Sequence, residues 1–259
     1  MSNDHLEAGI FPGGSALYAS LVAAHLGLSA RAVTSHGPDF VGLEALAAAG
    51  VTVEGAGRTT TTFDERFQGG HRSQRVLAVA EPLTVPVEAD IVFACPIVDE
   101  VAASVLVGPL VGAGLQGWFR RLAGGGVVER RVPDDLGFLA PCRAVFVSLE
   151  DLGAAAPAVL PRLRAVVPIV VVTDGRRGAT VHAGGDSLHV PVFPAREVDP
   201  TGAGDVFAAA FLVALFRGEA LATAGRFAAA AASIVIEGMG PSALSRLGEA
   251  AARAAALPR

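Results

Sequence analysis

The sequence predicts an α/β fold with a mostly parallel central sheet flanked by helices. Apolar, β-branched runs alternate with Ala- and Leu-rich stretches of helical length, which is typical of parallel strands joined by crossover helices. A glycine-rich segment, Asp199 to Asp205, also leads directly into an apolar helix. The 259 residues suit one α/β domain better than two, so we expect a single domain over residues 1–259.

The strands and helices follow from hydrophobic periodicity. The predicted strands are Arg31–Ser35, Ala89–Ala94, Ala144–Ser148 and Pro168–Thr173. The predicted helices are Ser15–Leu26, Val41–Ala49, Val98–Leu106, Glu150–Leu163, Gly202–Arg217, Ala220–Ile236 and Ser242–Ala255. The last three have the most sustained periodicity.

A segment over residues 59–80 interrupts this alternation. Thr59–Phe67 and Gln74–Ala80 have strand composition, and the glycine-containing segment Gln68–Ser73 between them is typical of a turn. We expect a small, lid-like antiparallel hairpin beside the main sheet. Such a hairpin could cover a substrate site, pair with a second subunit in a homodimer, or be a plain edge of the fold.

Composition excludes several classes of protein. The longest apolar runs, Val206–Phe216 and Ala165–Val172, are shorter than the roughly 18 residues of a membrane-spanning helix, and no N-terminal signal is visible, so we expect a cytoplasmic protein without membrane association. The net charge is −5 and no basic cluster occurs, which argues against nucleic-acid binding. All twenty basic residues are Arg, which excludes a Walker-type phosphate loop and Schiff-base chemistry. Cys95 and Cys142 have no spacing typical of zinc or disulfides.

The segment Asp199 to Asp205 carries the clearest chemistry. A helix that begins with Gly202, Ala203 and Gly204 directs several backbone N–H groups at one point, and no bulky side chain blocks an anion there. Asp205 stands close enough to act as a general base. The structural alternative is an ordinary acidic residue in the first turn of a helix.

Asp-Pro-Thr-Gly-Ala-Gly-Asp before a helix, with Gly13-Gly14 opening a helix near the N-terminus, resembles the PfkB (ribokinase-like) family of small-molecule kinases. This resemblance implies a ribokinase-like fold. It also implies that Gly202, Ala203 and Gly204 bind the transferred phosphoryl group through their N–H groups, and that Asp205 deprotonates a substrate hydroxyl.

The resemblance extends to the phosphoryl donor. It implies ATP contacts at Thr173, Gly175 and Gly178, although a hairpin turn would also favour those glycines. Mg²⁺ is implied by ATP chemistry, and Ser148 to Asp151 is a weakened counterpart of the family's Asn-x-x-Glu motif, with Glu150 or Asp151 as the acid. Asp199 and Thr201 resemble family positions near a monovalent cation such as K⁺.

The N-terminus departs from the family pattern. Asp4 is the candidate for the substrate-binding Asp, and Gly13, Gly14 and Tyr18 are further candidate substrate contacts. Tyr18, however, stands where an Asn is usual, and no apolar strand precedes Asp4. We therefore keep open a catalytically weak or inactive ligand-binding protein on the kinase fold.

The Thr-rich hairpin, in which Thr62 is a candidate substrate contact, is more similar to the inositol-kinase-like branch than to ribokinase. Threonine runs also simply favour strands. The sequence thus predicts phosphorylation of a sugar or cyclitol hydroxyl, with inositol as the specific hypothesis and a nucleoside as an alternative.

Overall fold

The computed structural model describes residues 1–7, 9–55, 57–68 and 71–256. The strands are β1 (Ser2–Leu6), β2 (Gly9–Gly13), β3 (Arg31–Val33), β4 (Thr52–Glu54), β5 (Thr61–Gln68), β6 (His71–Ala78), β7 (Ile91–Ala94), β8 (Leu110–Gly114), β9 (Arg120–Leu122), β10 (Val128–Arg130), β11 (Ala144–Ser148), β12 (Ile169–Thr173), β13 (Ala179–Ala183) and β14 (Asp186–Val190). The α-helices are α1 (Ser15–His25), α2 (Leu43–Ala48), α3 (Leu149–Leu152), α4 (Ala156–Val166), α5 (Ala203–Phe216), α6 (Leu221–Val235) and α7 (Ala250–Ala256). Within the described ranges, no helix is long and apolar enough to cross a bilayer.

The main sheet has six strands in the order β14-β13-β12-β11-β8-β7. β7, β8, β11 and β12 are parallel, and β13 and β14 extend the sheet as an antiparallel edge. The predicted, mostly parallel sheet is therefore confirmed. The carboxyl ends of β8, β11 and β12 meet at one edge, where the following loops come together.

Helices cover both faces of this sheet, because its central strands are apolar on both sides. Phe146 and Val171 point to a core formed with α1, α5 and α6, whereas the neighbouring Val145 and Val170 point to a second core that includes Leu163 of α4. All five side chains are buried. The result is a three-layer α/β/α arrangement.

A second sheet lies apart from the main one, in the order β2-β1-β5-β6. β5 and β6 form the predicted antiparallel hairpin, and residues 69 and 70 of its turn lie outside the described residues. The expectation of a hairpin alone is wrong, because β1 pairs in parallel with β5 and antiparallel with β2. We call this four-stranded sheet the lid sheet. The sequence did not predict β1, since Ser2–Leu6 is largely polar.

Three predicted helices differ from the structure. Val98–Leu106 is mostly non-helical, with one 3-10 turn at Ala103–Val105. The Glu100 carboxylate accepts the N–H groups of Ile97 and Val98, and Asp99 has a φ of 63°, so the apolar spacing here serves a folded loop.

The other two differences are interruptions. The predicted helix Glu150–Leu163 is divided at Gly153, whose φ is 52°, into α3 and α4. The predicted helix Ser242–Ala255 consists of 3-10 turns over Gly240–Glu249 followed by the short α7. The remaining helices begin and end within about two residues of prediction, which is the usual uncertainty of helix ends.

A slot of about 620 Å³ separates the edge of the main sheet from the small sheet formed by β3 and β4. Consecutive residues of β3 and of β7 line it, so strand edges rather than strand faces border the slot. Among the described residues, β7 pairs only with β8 and β3 only with β4. Arg31 crosses one end of the slot and donates to the Glu88 carbonyl at 2.6 Å.

Candidate active site

The start of α5 has the geometry of an anion site. Gly202 precedes the helix with a φ of 77°, and the Val206 N–H donates to its carbonyl at 2.9 Å. In the described part of the chain, the N–H groups of Gly204 and Asp205 have no hydrogen-bond partner. Nothing lies within 4 Å of the position that a Cβ on Gly204 would take, so an anion can approach these N–H groups.

Asp205 stands in the first turn of this helix, half-buried. Burial raises the pKa of its carboxyl group to about 6, while a hydrogen bond from Ser15 and the positive charge of Arg120 oppose that rise. Ser15 is the first residue of α1 and follows Gly14, so the Gly-Gly helix start and the start of α5 meet at this hydrogen bond. A carboxyl group of this pKa can accept a proton near neutral pH.

Asp4 lies beside Gly13, which is two residues before Ser15. It is 8% exposed, and the Ser2 hydroxyl donates to its Oδ1 at 2.9 Å. A side chain on Gly13 would collide with Asp4 Oδ2, so glycine is required there for the carboxylate to approach. Gly13 lies against Asp4 and Ser15 hydrogen-bonds Asp205, so the short segment Gly13–Ser15 connects the surroundings of the two carboxylates.

The lid sheet presents further polar groups on the face that carries Asp4. Asp4 pairs with Phe63 in the sheet, so Glu65, two residues further along β5, shares its face. Glu65 is 4% exposed and accepts from Gln74 Nε2 at 2.8 Å. Sequence reasoning missed Glu65. Alternation along β5 from Phe63 could have indicated it once β5 was paired with β1.

Thr62 does not join this group. It neighbours Phe63 on β5 and therefore lies on the opposite face, where its hydroxyl donates to the Thr60 carbonyl at 3.0 Å. The structure thus brings together Asp4, Gly13, Gly14 and Asp205 from the predicted set but places Thr62 elsewhere.

Tyr18 packs directly behind the glycine segment. Its ring atoms lie 2.5 Å from the position that a Cβ on Gly202 would occupy, so Gly202 leaves room for this ring. The side chain is 1% exposed, and its hydroxyl has no hydrogen-bond partner among the described residues. Burial, and then the negative charges of Asp199 and Asp205, raise the pKa of Tyr18, so the hydroxyl stays protonated and remains available as a donor.

The second acid of the site is Asp151. Its N–H donates to Ser148 Oγ at 2.9 Å and its Oδ2 accepts from the same hydroxyl at 2.6 Å, which fixes it in the first turn of α3. Its Oδ1 lies 3.7 Å from the Arg120 guanidinium. The charges of Arg120 and Asp151 both reach Asp205. Glu150 is exposed, so the geometry favours Asp151 over Glu150 as the acid beside Asp205.

The Thr173 segment ends the neighbouring strand. Thr173 is the register partner of Ser148, and the turn that follows contains Gly175 and Gly178 with φ values of 50° and 93°. A side chain on Gly178 would collide with the Val190 carbonyl. These glycines therefore allow the backbone conformation of the β12–β13 turn. The turn follows β12, which is the neighbour of β11, and Asp151 lies in α3, directly after β11.

Asp199 fastens the loop before α5. Its Oδ1 accepts the Thr201 N–H at 2.9 Å and its Oδ2 accepts the Gly240 N–H at 2.8 Å. The described residues contain no group of three acidic, His or Cys side chains suited to a metal. Mg²⁺ bound with nucleotide phosphates needs only one or two carboxylates from the protein, which Asp151 can provide.

Comparison with known proteins agrees with this geometry. Residues 142–246, which include Asp151, Thr173 and the start of α5, match the model of the pfkB family carbohydrate kinases. The predicted resemblance to the PfkB family is confirmed. A nucleoside kinase of Methanothermobacter thermautotrophicus is 43% identical over 72 residues, which are 28% of this chain and 23% of that protein. The alignment thus spans less than a quarter of that relative.

Solved structures confirm the fold over nearly the whole chain. A pyrophosphate-dependent kinase in the ribokinase family, complexed with a pyrophosphate analog and myo-inositol, has a TM-score of 0.80 at 21% identity, with 93% of each chain covered. Arabidopsis thaliana ribokinase complexed with ribose and ATP has a TM-score of 0.72 at 20% identity, covering 98% of this chain and 96% of that one. The chain therefore has a ribokinase-like fold.

Proposed function

We propose that this protein transfers the terminal phosphoryl group of ATP to a hydroxyl of a small polyhydroxy acceptor. The observation that carries the proposal is the first turn of α5, where two N–H groups have no hydrogen-bond partner among the described residues and the carboxyl group of Asp205 has a pKa raised to about 6. Backbone donors stabilise the charge on the transferred group, and the carboxylate takes the proton of the attacking hydroxyl. The acceptor oxygen then bonds to the terminal phosphorus as the bond to ADP breaks.

The acceptor would lie between α5 and the lid sheet. Asp4 and Glu65 are buried carboxylates on one face of that sheet, and the Tyr18 hydroxyl is an available donor near both. Several buried hydrogen-bonding groups in one region suit a molecule with several hydroxyls. Inositol stays our specific hypothesis, with ribose-type sugars and nucleosides as the competitors.

The donor would lie on the opposite side of Asp205. We infer that Asp151 helps to hold Mg²⁺ and that Thr173, Gly175 and Gly178 contact the nucleotide, because β11 and β12 end side by side. The metal would supply positive charge to the phosphate oxygens. Asp199 and Thr201 remain candidates for contact with a monovalent cation such as K⁺.

The proposal is tested by measuring phosphorylation of inositols, pentoses, hexoses and nucleosides with ATP, and in parallel with pyrophosphate as donor. We expect Asp205→Asn to lower kcat by at least about 10³-fold, because the base is lost, while ATP binding measured by calorimetry stays within about twofold. Asp135→Asn serves as the control and should retain activity. The Asp135 carboxylate is exposed and accepts the Gly137 N–H. Substantial turnover by Asp205→Asn would contradict the mechanism. ATP binding without turnover on any acceptor would favour a ligand-binding protein instead.

A further inference from the structure

We propose that Arg120 binds the phosphoryl group during its transfer and stabilises the negative charge on its oxygens. This inference rests on the proposed function, because it assigns a residue within the same site. Arg120 is not part of any motif in the sequence: it lies outside the glycine motifs and outside residues 142–246.

The backbone that leads to Arg120 is held from several sides. The Gly117 N–H donates to the Pro96 carbonyl at 3.0 Å, and a side chain on Gly117 would collide with Pro96. Trp118 Nε1 donates to the Val101 carbonyl at 2.7 Å. Phe119 is 1% exposed and accepts the Arg131 N–H at 2.8 Å. Arg120 is thus delivered to the site by a rigid segment, as preorganised charge stabilisation requires.

The side chain of Arg120 is largely buried, with 16% exposed, and its guanidinium lies 3.7 Å from Asp151 Oδ1. Asp151 is itself fixed by Ser148, so it orients the guanidinium. A guanidinium has five N–H donors in a planar fork, which allows one edge to face a carboxylate while another binds phosphate oxygens.

The charge balance of the site also favours this role. Asp151 and Asp205 are both acidic, and without a cation they would repel a phosphate that approaches the start of α5. The charge of Arg120 reaches Asp205 and opposes that repulsion. A buried ion pair serves stability poorly compared with apolar packing, so a purely structural role explains this arrangement less well than phosphate binding.

The test compares Arg120→Ala with Arg121→Ala. Arg121 is the next residue of β9, but its side chain is 60% exposed and pairs with Glu129, so it is a matched control for loss of one arginine. We expect Arg120→Ala to lower kcat by at least about 100-fold and to weaken binding of Mg²⁺-ATP by about tenfold in calorimetry. Arg121→Ala should change both by less than about twofold.

Chemical rescue separates direct phosphate binding from an effect through Asp151. Millimolar guanidinium chloride should restore at least about tenfold of the lost kcat in Arg120→Ala and none in Asp205→Asn, and Arg120→Lys should retain partial activity. If Arg120→Ala keeps wild-type kcat and ATP affinity, the inference is wrong. It is also wrong if guanidinium fails to rescue and Asp151→Asn reproduces the whole loss. If the wild-type protein phosphorylates no acceptor, the proposed function fails, and the ATP affinities of the two arginine variants still decide the inference.

Discussion

At Asp205, burial favours the protonated carboxyl group, whereas Ser15 and Arg120 favour the ionised form. The balance leaves the pKa near 6, above the usual value for aspartate. A group that binds its proton more tightly in the folded than in the unfolded state lowers stability as the pH rises from the unfolded pKa toward the folded one. The same shift makes the carboxylate a better proton acceptor near neutral pH. Folding and chemistry therefore make opposite demands on this residue.

One prediction concerns the pH dependence of turnover. The carboxylate is the active form, so kcat should rise with pH through an apparent pKa of about 6 and should be about tenfold lower at pH 5 than at pH 7. A profile of kcat at saturating substrate checks this. A profile that is flat between pH 5 and pH 7, with the protein folded throughout, would contradict the assignment of Asp205 as base.

A second prediction at this scale concerns stability. Asp205→Asn removes the buried charge, so it should raise the free energy of unfolding at pH 7 by up to about 3 kcal/mol. The gain should disappear at pH 4, where the wild-type carboxyl group is protonated in the folded state. Urea unfolding at the two pH values checks this. A variant that is less stable than the wild type at pH 7 would show that the Ser15 hydrogen bond outweighs the burial cost.

At the scale of elements, two helix starts and one sheet meet around the site. α5 provides the N–H groups and Asp205, α1 provides Ser15 and Tyr18, and the lid sheet provides Asp4. The glycine segment before α5 depends on contact between helices, because the ring of Tyr18 fills the space that a side chain on Gly202 would need. The glycine motif is therefore a packing requirement as well as an anion site.

Gly202→Ala and Gly204→Ala should differ sharply. At Gly202, the φ of 77° and the Tyr18 ring 2.5 Å from the new Cβ both oppose a side chain, so we expect a loss of at least about 2 kcal/mol in the free energy of unfolding. At Gly204, the space is open and the residue lies inside the helix, so alanine should stabilise by about 0.5–1 kcal/mol. Thermal or urea unfolding of both variants checks this. Equal effects would contradict the packing role.

The elements that the sequence predicted best are those whose local pattern agrees with their environment. Ala144–Ser148 was predicted to the residue, since a short apolar run suits a strand that is buried on both faces. Val98–Leu106 was predicted wrongly, because its apolar residues reach the core from a loop that Glu100 closes through backbone N–H groups.

The candidate site was predictable where glycines or acids are adjacent in sequence, as at Gly13-Gly14 and at the start of α5. Glu65 and Arg120 were missed for the same physical reason. Each stands among polar or aromatic residues without helical spacing. Glu65 is placed by the pairing of β5 with β1, which is distant in sequence, and Arg120 by the hydrogen bonds of Gly117 and Trp118 to Pro96 and Val101.

At the scale of the whole molecule, the protein has two hydrophobic cores, one on each face of the main sheet. The lid sheet adds only a small apolar cluster of its own, around Phe63, Val76, Ile97 and Val98. The residues proposed to bind the donor lie at the end of the main sheet, which has the two large cores. Asp4 and Glu65, which we propose bind the acceptor, lie instead on the lid sheet, which has the smallest apolar cluster. Such low-burial elements open at lower free energy than core strands.

The slot between β3 and β7 has a kinetic consequence for the backbone. Strands inside a sheet protect their amides from solvent on both edges, whereas β3 and β7 each border the slot on one edge. In native-state hydrogen exchange, we expect the slot-facing amides of Ile91–Ala94 and Arg31–Val33 to exchange at least about 100-fold faster than those of Ile169–Thr173, which is paired on both sides. Equal protection of these strands, measured by NMR or mass spectrometry, would contradict this. If the prediction holds, the main sheet contains a strand whose backbone amides exchange much faster than those of its inner strands.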